Sequence, residues 1–368
     1  MEKSARNSNH ELLRILAMYM IVLIHANMYL FQFTGGGIGF ALNGMVNGIC
    51  NIGVSCFILI SGYYGVKFSI RKFVRMECMM ITYSLLETAL MCLILPEQVQ
   101  GAALLEQLIK SFLPFITRKY WFYSSYVCLF FLSGYIRKFI DCLSREEFKR
   151  LLLLLLFLFS VLPTFFYFEL IPDNGKGLVQ MIMVYLLGRY IRMYRDVKLP
   201  SMAGILFVLL WAVNGISHEI PISLGDVWHH LCKDNSITNL IMAVILFYAF
   251  KELKLFSGKE DGTAGKASRI VNRTAGYVFA VFALNNVLVT AVMRLLSDGG
   301  FQGAGGIPGF LELAGIAAAI LIGCLGIGAV RELFLGRADR YLGELFERKA
   351  AQIGKKIEKR ANNCKFLH

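Results

Sequence analysis

Apolar residues dominate this chain in long runs that charged residues rarely interrupt. From Ile15 to Val66, 52 consecutive positions carry no Asp, Glu, Lys or Arg. One bilayer crossing takes roughly 20 apolar residues, so that run holds two crossings and a short connection. The same pattern predicts ten candidate crossings: 12–33, 41–64, 77–95, 120–137, 150–169, 177–194, 199–217, 235–250, 274–296 and 308–330. The fifth is the cleanest, with no charge from Leu151 to Phe168. The sixth and eighth are the shortest, with uncharged cores of 12 and 16 residues. Short spans hold in lipid only when neighbouring helices pack around them. The expected fold is all-α, a polytopic integral membrane protein of about ten transmembrane helices.

Composition agrees with that pattern. The 368 residues are 57% hydrophobic and the mean hydropathy is +0.58. Soluble domains are nearer 45–50% apolar. A net charge of +13 would point to nucleic acid in a soluble protein. Here cytoplasmic loops explain it first, because they collect Lys and Arg. With the N-terminus inside, the alternating loops put 32 of the 38 basic residues on the cytoplasmic side. Both termini are therefore expected in the cytoplasm, and no nucleic-acid partner is expected. The nine cysteines are scattered with no ligand spacing, so neither a disulfide framework nor a metal site is expected. The first apolar run is too long for a cleavable signal peptide and lacks a small-residue cleavage site.

Three polar pieces interrupt the spans. Residues 97–119 form an outside connection whose apolar stretch, Leu104 to Ile116, suits the membrane interface. Residues 218–234 hold His218, Glu219, Asp226, His229, His230 and Asp234; a solvated polar loop explains them more simply than a metal. The tail mixes Leu333, Phe334, Leu342, Leu345 and Phe346 with basic residues, as an amphipathic helix on an anionic leaflet does. The expected division is a transmembrane domain over 1–335 and a basic amphipathic cytoplasmic tail over 336–368.

Ionisable groups within a membrane are costly and usually functional. His25 lies roughly midway along the first expected span, and an imidazole can accept and return a proton near neutral pH. The plainer alternative is a buried histidine bonded to a neighbouring helix. Arg14 precedes it by eleven residues, which on a helix leaves the two about 20° apart in azimuth and about 16 Å apart along the axis. Arg14 is then at the cytoplasmic mouth and His25 deeper on the same wall. A polyanionic acyl-coenzyme A, with its long thin arm, has a matching plan, since arginine suits phosphate. As an alternative, Arg14 is a snorkelling anchor.

These residues carry a resemblance. Glu11-Leu12-Leu13-Arg14, continuing to Ile24-His25, resembles the opening of the membrane-bound acyltransferase 3 family, with its Arg, ten residues, His spacing and an acid three residues before the arginine. Phe57 to Tyr63 resembles the second-helix motif containing Ser61 and Gly62. Arg71-Lys72-Phe73-Val74-Arg75 is similar to the basic pair before the third helix. Tyr120-Trp121-Phe122 and Leu132-Ser133-Gly134-Tyr135 resemble the fourth. The likeness spans roughly residues 8 to 330.

The resemblance implies an O-acyltransferase of the bacterial cytoplasmic membrane acting on cell-envelope polysaccharides or glycolipids. Acyl-CoA, usually acetyl-CoA, would be a co-substrate entering from the cytoplasm, with no bound cofactor. His25 would be the catalytic base, with Arg14 and Glu11 beside it, and Arg71, Lys72 and Arg75 would meet the coenzyme A phosphates. Where members often carry a histidine in a late segment, this chain reads Phe282-Ala283-Leu284-Asn285-Asn286, so Asn285 and Asn286 are candidates for the cavity or acceptor site. Ser61, Glu87 and Trp121 join them, although close packing, a structural hydrogen bond and an interfacial belt explain those three as simply. A transporter or sensor-like domain would also use a buried histidine, but no internal repeat marks a transporter. A lipid-linked-sugar glycosyltransferase would be expected to place acids in the first outside loop, and Thr34 to Phe40 has none.

Overall fold

The computed structural model describes residues 7–30, 38–194, 196, 198–219, 231–253, 255–256, 263–298 and 306–365. Among them every regular element is helical. Fourteen α-helices run α1 Ser8–Leu30, α2 Ile38–Cys50, α3 Gly53–Tyr64, α4 Ile70–Ile94, α5 Gly101–Phe112, α6 Trp121–Asp141 and α7 Arg145–Leu156. The rest are α8 Leu162–Phe166, α9 Leu178–Met193, α10 Ala203–Glu219, α11 Ile237–Glu252, α12 Thr263–Thr274, α13 Val278–Asp298 and α14 Gly306–Lys365. A helix lies over each of the ten apolar segments. Six helical segments among the described residues are long and apolar enough to cross a membrane: Ser8–Met28, Ala41–Tyr64, Ile70–Ile94, Arg145–Phe166, Gly265–Leu296 and Gly306–Ile357.

Local chemistry sets several boundaries. Ser144 and Glu147 form a reciprocal capping box that starts α7, satisfying two of the amides a helix start leaves open. Ser69 and Ser236 cap α4 and α11 with side-chain acceptors. The fifth apolar segment is α7 continued through a π-helical turn, Phe157–Val161, into α8. It ends where Tyr167 takes a left-handed conformation at φ 56°.

The chain divides into two compact units: residues 1–66 with 135–328, and residues 67–134 with 329–368. In the first, α1 is the hub and packs against α2, α3, α11, α12 and α13. The tightest crossings rest on glycine. A Cβ on Gly62 of α3 would stand 2.3 Å from the Tyr185 carbonyl oxygen of α9, and one on Gly188 of α9 would stand 2.5 Å from the Leu59 carbonyl oxygen. Backbones this close exclude any side chain, as small-residue interfaces do. Gly48 of α2 meets Gly215 of α10 in the same way, at 2.7 Å. There Trp211 donates its indole N–H to the Met45 carbonyl at 2.7 Å.

In the second unit α4 packs against α5 and against the far half of α14. Arg331 is buried and ion-paired with Asp339; it also donates to the Thr82 hydroxyl at 3.2 Å. A Cβ on Gly343 would meet the Arg71 carbonyl at 2.9 Å. The expected boundary at residue 335 falls inside α14, which continues unbroken to Lys365. Residues 336–345 therefore include positions packed on α4, while Leu333, Phe334, Tyr341 and Phe346 stay exposed. The expected interfacial stretch is α5, which exposes Leu105, Ile109 and Phe112 and pairs Lys110 with Glu106.

A branched side chain at the α3–α9 crossing must separate the two backbones. Gly188→Val is expected to destabilise the protein by about 1–3 kcal/mol. Thermal unfolding in detergent, followed by size-exclusion fluorescence, reads it as a lowered midpoint; Gly134→Val, where a Cβ meets open space, should shift the midpoint far less.

Candidate active site

The first apolar helix begins at Ser8, earlier than its charge-free run suggests. His25 therefore lies in the far third of α1 rather than at its middle, about 26 Å along the axis from Ser8. It is half-buried, and its partner comes from α13. His25 Nδ1 meets Asn285 Oδ1 at 2.5 Å. The orientation of Asn285 follows from its other bonds, because its amide Nδ2 donates to the Val281 carbonyl at 2.9 Å and to the Phe282 carbonyl at 3.0 Å. An amide turned the other way would set oxygen against oxygen at both. Oδ1 therefore faces the imidazole, and only a protonated Nδ1 can bond to it. The neutral ring then carries its lone pair on Nε2. This is how a base is held in a working tautomer: the partner of one nitrogen decides the role of the other.

Arg14 and Glu11 stand one turn apart on the same helix. Arg14 Nη1 donates to both Glu11 oxygens, at 2.7 and 2.8 Å. Glu11 is only 5% exposed, so the arginine supplies the charge that lets a carboxylate stay there. The Arg14 guanidinium also lies 5.9 Å from the centre of the Phe57 ring. Glu11, Arg14, His25 and Asn285 all belong to the first unit. So does Lys176, in the turn before α9.

The other expected site residues are placed differently. Ser61 is buried and donates its hydroxyl to the Phe57 carbonyl at 3.1 Å, beside the close approach at Gly62. Asn286 is exposed on another face of α13, so only Asn285 of that pair joins His25. Arg71, Lys72 and Arg75 lie on α4 in the second unit. Two of them are already ion-paired, Arg71 with Glu344 at 2.7 Å and Arg75 with Glu332 at 3.0 Å. Glu87 is in that unit too, held by Lys119 at 2.9 Å and by the Tyr120 hydroxyl at 2.5 Å. Lys119 further donates to Thr88 and Ser111, a polar network that neutralises itself. Trp121 opens α6 with its ring against Phe122. Of the expected outer polar loop, residues 220–230, with Asp226, His229 and His230, lie outside the described residues. Among the described residues no group of three or more His, Cys, Asp or Glu could hold a metal.

Two polar features escaped the sequence pattern. Asn27 donates to Asn43 at 2.6 Å, and Asn47 donates to the same oxygen at 3.0 Å, joining α1 to α2. His10 is enclosed by aromatic rings from α3 and α11. Neither could be found from spacing, because each partner comes from a different helix.

The tautomer assignment is directly measurable. In protein labelled with ¹⁵N-histidine, the His25 signal should show a protonated Nδ1 and an unprotonated Nε2 at neutral pH, identified by its loss in His25→Gln. Asn285→Ala should turn that single tautomer into a mixture. An Nε2-protonated ring in the unaltered protein would overturn the geometry.

Comparison with curated proteins and with solved structures returns no match. Comparison with protein families does: an acyltransferase-domain model, that of the acyltransferase 3 family, matches residues 7–329. That stretch includes the Glu11–Arg14 pair, His25 and Asn285, and it covers most of the chain; this protein belongs to the acyltransferase 3 family and is a multi-pass membrane acyltransferase.

Proposed function

We propose that the protein moves an acyl group, most simply acetyl, from cytoplasmic acyl-CoA to a hydroxyl of a cell-envelope polysaccharide or glycolipid. The reading includes about ten crossings of a bacterial cytoplasmic membrane, both termini inside, because that arrangement alone gathers 32 of 38 basic residues on one side. The observation that carries it is the His25–Asn285 bond, which leaves Nε2 as a base on the helix that also bears the Glu11–Arg14 pair.

The reaction is a direct transfer. His25 Nε2 takes the proton of the acceptor hydroxyl as its oxygen attacks the thioester carbonyl. The tetrahedral intermediate collapses, the C–S bond breaks, and the proton on Nε2 passes to the departing coenzyme A sulfur. Ester and free thiol are the products, and His25 returns to its starting form. A positioned base contributes typically about 10²–10⁴-fold, so donor positioning, to which Arg14 contributes, supplies much of the rest.

The test uses purified protein in nanodiscs, acetyl-CoA and a polysaccharide acceptor, with release of free thiol as the readout. His25→Ala should lower the transfer rate by at least about 100-fold while inserting normally. Arg14→Ala should raise the KM for acetyl-CoA or lower turnover. Normal transfer by His25→Ala sinks the mechanism, and unchanged constants in Arg14→Ala reduce that residue to an anchor.

A further inference from the structure

At the end of the first unit where α1 begins, a group of side chains is left unused by the histidine chemistry. His10 lies one turn before Arg14 and is 1% exposed. Its Nδ1 meets the Tyr64 hydroxyl at 2.6 Å. Its ring stacks on Phe247 with centres 4.9 Å apart and planes within 9°, and Tyr63 closes a further side at 5.4 Å. Its Nε2 is buried and has no hydrogen-bond partner among the described residues. Whichever way the bond to Tyr64 runs, that nitrogen keeps an unused donor or acceptor, and native proteins rarely leave one without a reason.

Cations surround this aromatic box. Arg192, in the last turn of α9, lies 5.1 Å over the Tyr63 ring and donates to its hydroxyl at 3.3 Å. Lys251, in the last turn of α11, lies 4.6 Å over Tyr248. Arg189 stands one turn before Arg192 and borders Gly65, where a Cβ would meet its guanidinium at 3.0 Å. Gly65 has a φ of 74°, so this wall of the mouth is bare backbone beside an arginine. Of the nearby acids, Glu11 pairs with Arg14 and Asp196 pairs with Arg145 at 2.6 Å, while Glu252, beside Lys251 in the chain, is exposed. Among the described residues Arg189, Arg192 and Lys251 have no carboxylate partner. Cations in a last helical turn do favour the helix dipole. That accounts for Arg192 and Lys251 singly, but not for their gathering around stacked rings and an unpartnered buried nitrogen.

Flat rings together with unpaired guanidinium groups recognise a ligand that is itself aromatic and polyanionic. Rings and arginines stack on a heterocycle, and the arginine forks match phosphate oxygens. We propose that Tyr64, Arg189, Arg192 and Lys251, backed by the packed rings of His10 and Tyr63, form the mouth that holds the phosphorylated adenosine end of the acyl-CoA donor, which rests on the acyl-CoA reading above. From His10 to His25 the axis of α1 runs about 22 Å, the interval left for the thin pantetheine arm. The basic residues of α4 differ in that Arg71 pairs with Glu344, and Arg75 shares Glu332 with Arg340.

The experiment uses the full chain in zwitterionic nanodiscs. Adenosine 3′,5′-bisphosphate is titrated by calorimetry, and kinetics are measured with acetyl-CoA and with S-acetylpantetheine, which lacks the nucleotide. Arg189→Ala and Arg192→Ala should each weaken bisphosphate binding and raise the KM for acetyl-CoA by about tenfold, with kcat changed less. The preference for acetyl-CoA over acetylpantetheine should collapse when both are replaced. Arg192 bonds Tyr63, so that variant can lose fold as well as contact; Arg189, with no ion pair among the described residues, then decides the matter alone. Bisphosphate affinity and KM unchanged in Arg189→Ala overturn the proposal, as does a wild-type protein that binds no bisphosphate. A wild-type protein that binds bisphosphate through these arginines but transfers no acetyl group upholds the nucleotide mouth and defeats the acyltransfer reading instead.

Discussion

The structure depends on one constraint: polar side chains on an apolar helix must find partners across helix interfaces, because lipid offers none. α1 shows it most fully. Asn9 donates to the Leu253 carbonyl at 2.5 Å, His10 meets Tyr64, and Arg14 turns on Glu11 of its own helix. Further along, Tyr19 donates to the Ala314 carbonyl at 3.1 Å, His25 meets Asn285 and Asn27 meets Asn43. These partners lie on α2, α3, α13 and α14 and beyond the end of α11. A single helix is thereby pinned from several sides by bonds that fix its rotation as well as its depth. The rotation matters for chemistry, since it holds Arg14 and His25 to one wall.

Glycine supplies the complementary device. Hydrogen bonds set which face of α1 turns inward, but α3 and α9 have few polar groups to spend on each other. Gly62 and Gly188 instead bring two backbones close enough for dispersion and shape to do the fastening. That crossing also sets up the α1 mouth. It carries Tyr63 and Tyr64 at the end of α3, and Arg189 and Arg192 at the end of α9, to one place.

Much of this was legible from residue patterns because lipid imposes simple rules. Apolar length located a helix over each of ten segments. The Arg14–His25 spacing held because an uninterrupted helix preserves azimuth, and the resemblance carried by Glu11, Arg14 and His25 agrees with the family match. What stayed hidden was pairing between distant helices. Nothing near Asn285 in the chain shows that it, rather than Asn286, turns toward α1. Nothing near Glu87 shows that Lys119, 32 residues on, neutralises it. Basic residues read alike in sequence whether paired or free, so the pattern does not separate Arg71 and Arg75, which have acidic partners, from Arg189 and Arg192, which have none among the described residues. The tail shows a related gap: a basic amphipathic pattern does not say whether a given position meets lipid or, as at Gly343, another helix.

The choice of an amide to orient His25 bears on the proposed reaction. In hydrolytic triads the group behind the imidazole is commonly a carboxylate, which holds the tautomer and also stabilises the imidazolium that forms. Asn285 does the first task and only weakly the second, because its oxygen is a dipole end rather than a charge and its nitrogen is committed to the Val281 and Phe282 carbonyls. A charged imidazole beside it lacks a compensating anion, and burial makes such a charge expensive. The reaction then favours a proton that spends little time on His25, passing from acceptor oxygen to departing sulfur as the carbonyl is attacked and the thioester opens. A thioester suits this path, because the thiolate that leaves is itself the anion that takes the proton from the imidazolium. A neutral orienter also costs the membrane interior no buried charge in the resting state. The same constraint that pins α1 among its neighbours thus selects the kind of residue that can stand behind its base.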